Sequence, residues 1–158
     1  MIGVAVTGLG VGEQHARAYA ADSRAKLLWL HDLDRSRAER LAAQFPGSRV
    51  APSYEALLAD PAVKAVSIAS FDGAHFAQAR DALRAGKHVF VEKPMGLTAA
   101  ECDRIMQAAS KAKKLVLVGH VLPLLPEYAF ARKAIASGKY GKLLGGHFKR
   151  VISDPLWL

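Results

Sequence analysis

The sequence predicts a doubly wound α/β fold: a mostly parallel sheet with helices on both faces, followed by the start of a second α/β body. Three observations predict it. Short apolar runs alternate with helical patterns from residue 2 to residue 118, and such alternation favours parallel strands joined by crossover helices. The first apolar run passes through Gly8, Gly10 and Gly12 directly into a helical pattern. An apolar fraction of 51% suffices for a core in a chain of 158 residues, the length of one domain with part of another.

The elements follow in order. Ile2, Val4 and Val6 alternate with small residues as a buried strand, and residues 13–21 read as its helix. Residues 26–30, KLLWL, form strand two, and residues 35–45 a helix broken by Pro46-Gly47. Residues 49–51 are a short strand and residues 53–59 a short helix ended by Asp60-Pro61. Residues 64–69 form strand four, ahead of the loop Ser70-Phe71-Asp72-Gly73. A helix over 74–85 stops at Gly86, and residues 88–91 are strand five. Thr98 and Glu101 fit a capping box that opens a helix over 99–113. Residues 115–118 are strand six, closed by Gly119.

Beyond this point the pattern changes, which places a boundary between a first domain, 1–119, and a second, 120–158. Residues 121–126, VLPLLP, are expected to form no regular element, because two prolines remove donors and fix φ. A helix is expected over 127–137, and one loosely alternating strand over 143–152. A lone strand has no sheet to join, and the chain stops on Leu156-Trp157-Leu158. The expectation is a second domain that is incomplete or completed by another chain; a homo-oligomer is compatible with this.

Bulk properties exclude several classes. The net charge is +8, with 22 Lys and Arg. No aromatic-interleaved basic stripe accompanies it, so an anionic small ligand fits better than nucleic acid. Lys111, Lys113 and Lys114 end a helix, where cations suit the dipole. The single cysteine, Cys102, permits no internal disulfide and no thiolate cluster. No grouping of His, Asp and Glu has metal-ligand spacing, so no metal is expected. The absence of a leader pattern or membrane-length apolar run makes a cytoplasmic protein, with no membrane partner, the expectation.

The glycine turn carries the chemistry. Between a strand and a helix, Gly8, Leu9, Gly10, Val11 and Gly12 form a turn that lets backbone approach a pyrophosphate. The helix start aims free N–H groups at the phosphates. The usual third glycine would fall at position 13, where Glu13 stands, so this carboxylate must point away. Asp32 lies 24 residues after Gly8, near the roughly 20-residue gap to the acid that binds a ribose. A carboxylate there favours NAD over NADP; nearby Arg35 and Arg37 weaken the preference and leave NADP open. Alternatively, Asp32 or Asp34 caps the next helix, a role that suits Asp34 better. Ser70 lies at the carboxyl edge of the sheet, where open α/β sheets bind ligands.

The segment 85–94, AGKHVFVEKP, resembles a signature of the glucose-fructose oxidoreductase / inositol dehydrogenase / MocA family. The glycine turn with His15-Ala16 behind it, and 51–58, APSYEALL, are similar to that family too. The resemblance covers residues 1 to about 152. It implies a Rossmann NAD(P)-binding domain followed by a substrate domain, and hydride transfer between nicotinamide and a sugar, polyol or related alcohol. It places Glu92, Lys93 and Pro94 near the nicotinamide. Lys93 would be the catalytic group that holds a reacting hydroxyl for proton transfer. It also implies a cis bond before Pro94, and it carries over His75 as a cofactor-site residue. His120, at the ligand edge after strand six, joins the candidates. His31 and His88 border strands and read as structural, and His147 falls in the expected last strand.

There are departures. The Pro-Asn pair usual after strand four is Phe71-Asp72 here, and Gly119-His120 leads into Val121-Leu122-Pro123 instead of polar residues. The family's catalytic Asp-x-x-x-His pair is absent. The favoured reading is therefore the nucleotide-binding part of an oxidoreductase, with a hydroxyl or carbonyl substrate held by the missing domain and little turnover by the chain alone. The alternatives are a stand-alone dinucleotide-binding module and, last, a domain of this type that has lost its cofactor.

Overall fold

The computed structural model describes residues 1–149. Six strands form one sheet: β1 (Ile2–Thr7), β2 (Ala25–His31), β3 (Arg49–Val50), β4 (Val63–Ile68), β5 (His88–Val91) and β6 (Val116–Val118). Their spatial order is β3-β2-β1-β4-β5-β6, and every neighbouring pair is parallel. The chain leaves β1 toward one edge and returns beside β1 at β4. This reversal opens a crevice at the carboxyl ends of β1 and β4.

The helices are α1 (Gly12–Ala21), α2 (Arg35–Ala42), α3 (Tyr54–Ala59), α4 (His75–Arg84) and α5 (Ala99–Ala112). Successive strand residues face opposite layers. Val6 packs with Leu9, Ala16, Leu27, Leu30, Ala38 and Leu41 under α1 and α2. Ala5 packs on the other face, with Leu57, Val66, Ile68, Ala82, Leu83 and Ile105. Coverage on both faces explains why the central strands read as near-continuous apolar runs. Within β4, Ser67 alone is a fully buried polar side chain.

Local chemistry sets the helix ends. The Asp34 carboxylate accepts from the Arg37 amide and caps α2, so the capping reading belongs to Asp34 rather than Asp32. Ser53 caps α3 through the Ala56 amide. Thr98 and Glu101 form the expected box at the start of α5. Removing the Thr98 hydroxyl in Thr98→Ala is expected to cost about 1 kcal/mol, read from a denaturant melt. At the far end, Lys113 takes a left-handed φ of 52°.

A second unit begins at Val121, the first ending at His120. It holds one 3₁₀ turn, Leu122–Leu124, and the helix α6 (Pro126–Ala136). The turn is a correction to the expectation of no regular element over 121–126. Pro123 fits a first helical turn, where its missing N–H removes no bond. The strand expected over 143–152 is also corrected: residues 143–149 carry no strand, and 150–152 lie outside the described residues. Unit two offers no second strand among the described residues with which one could pair. Among the described residues, no helix is long and apolar enough to cross a membrane.

Candidate functional site

At the switch point, Thr7, Gly8, Gly10, His31, Asp32, Leu33, Arg37, Ser70 and Gln78 are among the residues that line a cleft of about 570 Å³. Four sequence candidates, Gly8, Gly10, Asp32 and Ser70, thus meet in one place.

Each glycine does a different job. Gly8 has φ +79°, and a Cβ there would fall 2.3 Å from the Ser70 nitrogen. A side chain is excluded by both the backbone conformation and the neighbouring strand end. A Cβ on Gly10 meets nothing within 4 Å, so this residue faces open space. Gly12 packs under the sheet: its Cβ would come within 3.1 Å of Val6 and 3.3 Å of Ala69. That is the close helix–strand packing expected of the third glycine in such a turn, supplied one position early. Glu13 turns back along α1, where its Oε1 accepts from Arg17 Nη2 at 2.6 Å. The carboxylate is thereby directed to its own helix. Val11, exposed, precedes a helix start with no side-chain cap. The unpaired amides of a helix's first turn are a ready seat for an anion. An open Gly10 cradle beside them fits a dinucleotide's pyrophosphate.

Asp32 sits at the end of β2 with its side chain only 9% exposed. Its Oδ2 accepts from the Leu9 amide at 2.6 Å, and its Oδ1 from the Asp34 amide at 2.8 Å. The carboxylate therefore fixes the glycine turn and still has lone pairs for ribose hydroxyls. Arg37 Nη1 stands 3.5 Å from Oδ2. Arg35 instead donates to Glu39 at 2.8 Å. Of the two arginines, only Arg37 lines the cleft.

The remaining candidates lie around the cleft without lining it. His75 is buried behind its wall, with Nδ1 2.7 Å from the Pro94 carbonyl and Nε2 3.0 Å from the Ser70 carbonyl. Glu92, Lys93 and Pro94 follow β5, and the Lys93-Pro94 bond is cis. Lys93 is exposed, as is His120 just past β6. All occupy the carboxyl edge of the parallel sheet.

One group escaped the candidate set. His15 Nδ1 lies 2.9 Å from Ser67 Oγ, and Nε2 lies 3.3 Å from Glu92 Oε1. The other Glu92 oxygen accepts from the Lys93 amide at 3.2 Å. Gly119 leaves room for this carboxylate, since a Cβ there would come within 2.7 Å of it. The signals were present: His15 shares the inner face of α1 with Gly12 and Ala16 by helical spacing, and Ser67 interrupts an apolar strand.

Burial holds the His15 imidazole below its ordinary pKa, against the pull of Glu92. Burial does the same to His31, against Asp32 and Glu55. With the folded pKa depressed, the unfolded chain binds protons more readily in this range. Stability from both rings is full above about pH 6.5 and falls as the pH drops through their folded pKa values. Melting temperature is therefore expected to fall from pH 7.5 to 5.5, less steeply in His15→Gln than in wild type.

Comparison with known proteins agrees with this geometry. Residues 2–120 match the family model described as "Oxidoreductase family, NAD-binding Rossmann fold". The chain is 37% identical to an inositol 2-dehydrogenase of Acidothermus cellulolyticus, over 91% of this chain and 43% of that protein. It superposes with a TM-score of 0.82 or better on several solved structures. One is GenD2 from gentamicin A biosynthesis in complex with NAD: TM-score 0.83 and 32% identity, covering 87% of this chain and 40% of that one. Biliverdin reductase from Synechocystis, in complex with biliverdin and NADP+, gives 0.79 and 31%, covering 85% and 43%. The chain spans less than half the length of these relatives. On the strength of the match over residues 2–120, the chain belongs to the oxidoreductase family that carries the NAD-binding Rossmann fold.

Proposed function

We propose that this chain is the nucleotide-binding part of an oxidoreductase that moves a hydride between a nicotinamide cofactor and a sugar, polyol or related alcohol. The observation that carries the reading is the convergence of Gly8, Gly10, Asp32 and Ser70 on one cleft at the switch point. The bound cofactor supplies the hydride chemistry, and the protein supplies position and electrostatics. The backbone at Gly8 to Gly12 cradles the pyrophosphate. Asp32 accepts the adenosine ribose hydroxyls. Lys93, free of the core at the same sheet edge, holds the reacting hydroxyl for proton transfer. Glu92 fixes the Lys93 backbone and is itself held by His15.

NAD is the preferred cofactor. A 2′-phosphate would meet the Asp32 carboxylate, and Arg37 offsets that repulsion only in part. The alcohol class rests on relatives such as inositol 2-dehydrogenase and the UDP-N-acetylglucosamine 3-dehydrogenase of Acidithiobacillus ferrooxidans. Further residues, and self-association of the full protein, would complete the substrate side.

Calorimetric titration with NADH and NADPH tests this reading. NADH is expected to bind at micromolar strength and NADPH at least about tenfold more weakly, a difference of roughly 1.4 kcal/mol. A folded chain that releases no heat with either nucleotide overturns it.

A further inference from the structure

The fold places one buried side chain between the Ser70 wall of the cleft and the Lys93-Pro94 turn. His75 is 1% exposed and opens α4. Both of its ring nitrogens face backbone carbonyls, Pro94 on one side at 2.7 Å and Ser70 on the other at 3.0 Å. Carbonyl oxygens only accept, so each contact needs a ring N–H, and the ring serves both together only with a proton on each nitrogen.

The two carbonyls belong to different functional segments. Ser70 follows β4 by two residues and its backbone stands directly against Gly8, where a Cβ would fall 2.3 Å from the Ser70 nitrogen. The Ser70 hydroxyl donates to Gln78 Oε1 at 2.6 Å, which ties the same strand end to α4. Pro94 completes the turn that presents Lys93. No other side chain among the described residues makes hydrogen bonds to both the β4 end and the Lys93-Pro94 turn.

The geometry points to His75 as a positioning residue that sets the nicotinamide-side turn at a fixed distance from the phosphate-side wall. His75, buried behind the cleft wall, does not touch the cofactor. It acts through Pro94 on Lys93 and through Ser70 on the glycine turn. The inference rests on the dinucleotide reading and deepens it.

Two conservative variants separate the contacts. The amide nitrogen of His75→Gln replaces Nε2 and keeps the Ser70 contact while losing Pro94. That of His75→Asn replaces Nδ1 and keeps Pro94 while losing Ser70. The probes are NADH and ADP-ribose, the second lacking the nicotinamide. His75→Gln is expected to weaken NADH by roughly tenfold or more, the scale of one hydrogen bond from a charged donor, with loss of the fluorescence change of bound reduced nicotinamide. Its affinity for ADP-ribose should stay within about twofold of wild type. His75→Asn is expected to weaken both ligands by a similar factor. Equal loss of both ligands in His75→Gln, or no loss in either variant, overturns the positioning role. Wild-type protein that binds neither probe overturns the dinucleotide reading itself, and the inference with it.

Discussion

Gly8→Ala is expected to abolish dinucleotide binding and to lower the melting temperature by roughly 6–12 °C, the equivalent of about 3 kcal/mol or more in a chain of this size. The cause is double. A φ of +79° strains any residue with a Cβ, and the added carbon would fall 2.3–2.5 Å from backbone atoms of Ala69 and Ser70. Backbone cannot rotate out of the way as a side chain can, so β1 and β4 must part at the crevice. Gly10→Ala provides the contrast. Its Cβ meets no protein atom within 4 Å, so its melt should match wild type to within about 2 °C. Its NADH affinity should nevertheless fall, because the methyl group stands where a pyrophosphate approaches. Thermal melts and NADH titrations of the two variants separate damage to the fold from damage to the site.

Asp32→Ala should weaken NADH by roughly 10- to 100-fold, the range for hydrogen bonds to a charged group. NADPH should lose much less, because the variant removes the repulsion of a 2′-phosphate along with the ribose contacts. The preference between the two nucleotides is then expected to collapse, with Arg37 left unpaired in the cleft. Part of the loss has a structural origin, since the Leu9 and Asp34 amides both lose their acceptor. Asp32→Asn keeps an acceptor oxygen near these amides and removes the charge. It should recover stability while still binding NADH more weakly than wild type, as parallel melts and titrations would report.

The fold was legible because local signals and global topology agree. The apolar runs at β1, β2, β4 and β5, the glycine stops and the capping box all act over a few residues, and each appears within a residue or two of its expected place. The departures lie where tertiary pairing decides. Residues 143–149 alternate like a strand yet remain unpaired, since alternation alone supplies no ladder partner.

The site was legible where spacing encodes it. Gly8, Gly10 and Asp32 follow from the turn and the distance to the next strand end. The direction of a side chain was not legible. Sequence could not separate Arg35 from Arg37; the structure does so because Glu39 lies one helical turn from Arg35. Nor could it show that Gly12 takes the packing role while Glu13 turns to Arg17. The Ser67–His15–Glu92 chain joins three elements 25 or more residues apart in sequence, and only the folded sheet assembles it.

A crystal structure of the chain with NADH decides whether the switch-point cleft holds a nicotinamide dinucleotide. The pyrophosphate is expected against Gly10 and the first turn of α1, the adenosine ribose hydroxyls on Asp32, and the nicotinamide on the Lys93 side. Density for NADH elsewhere would contradict this placement, for instance in the basic groove that includes Arg80, Arg84, Arg104 and Lys111 between α4 and α5.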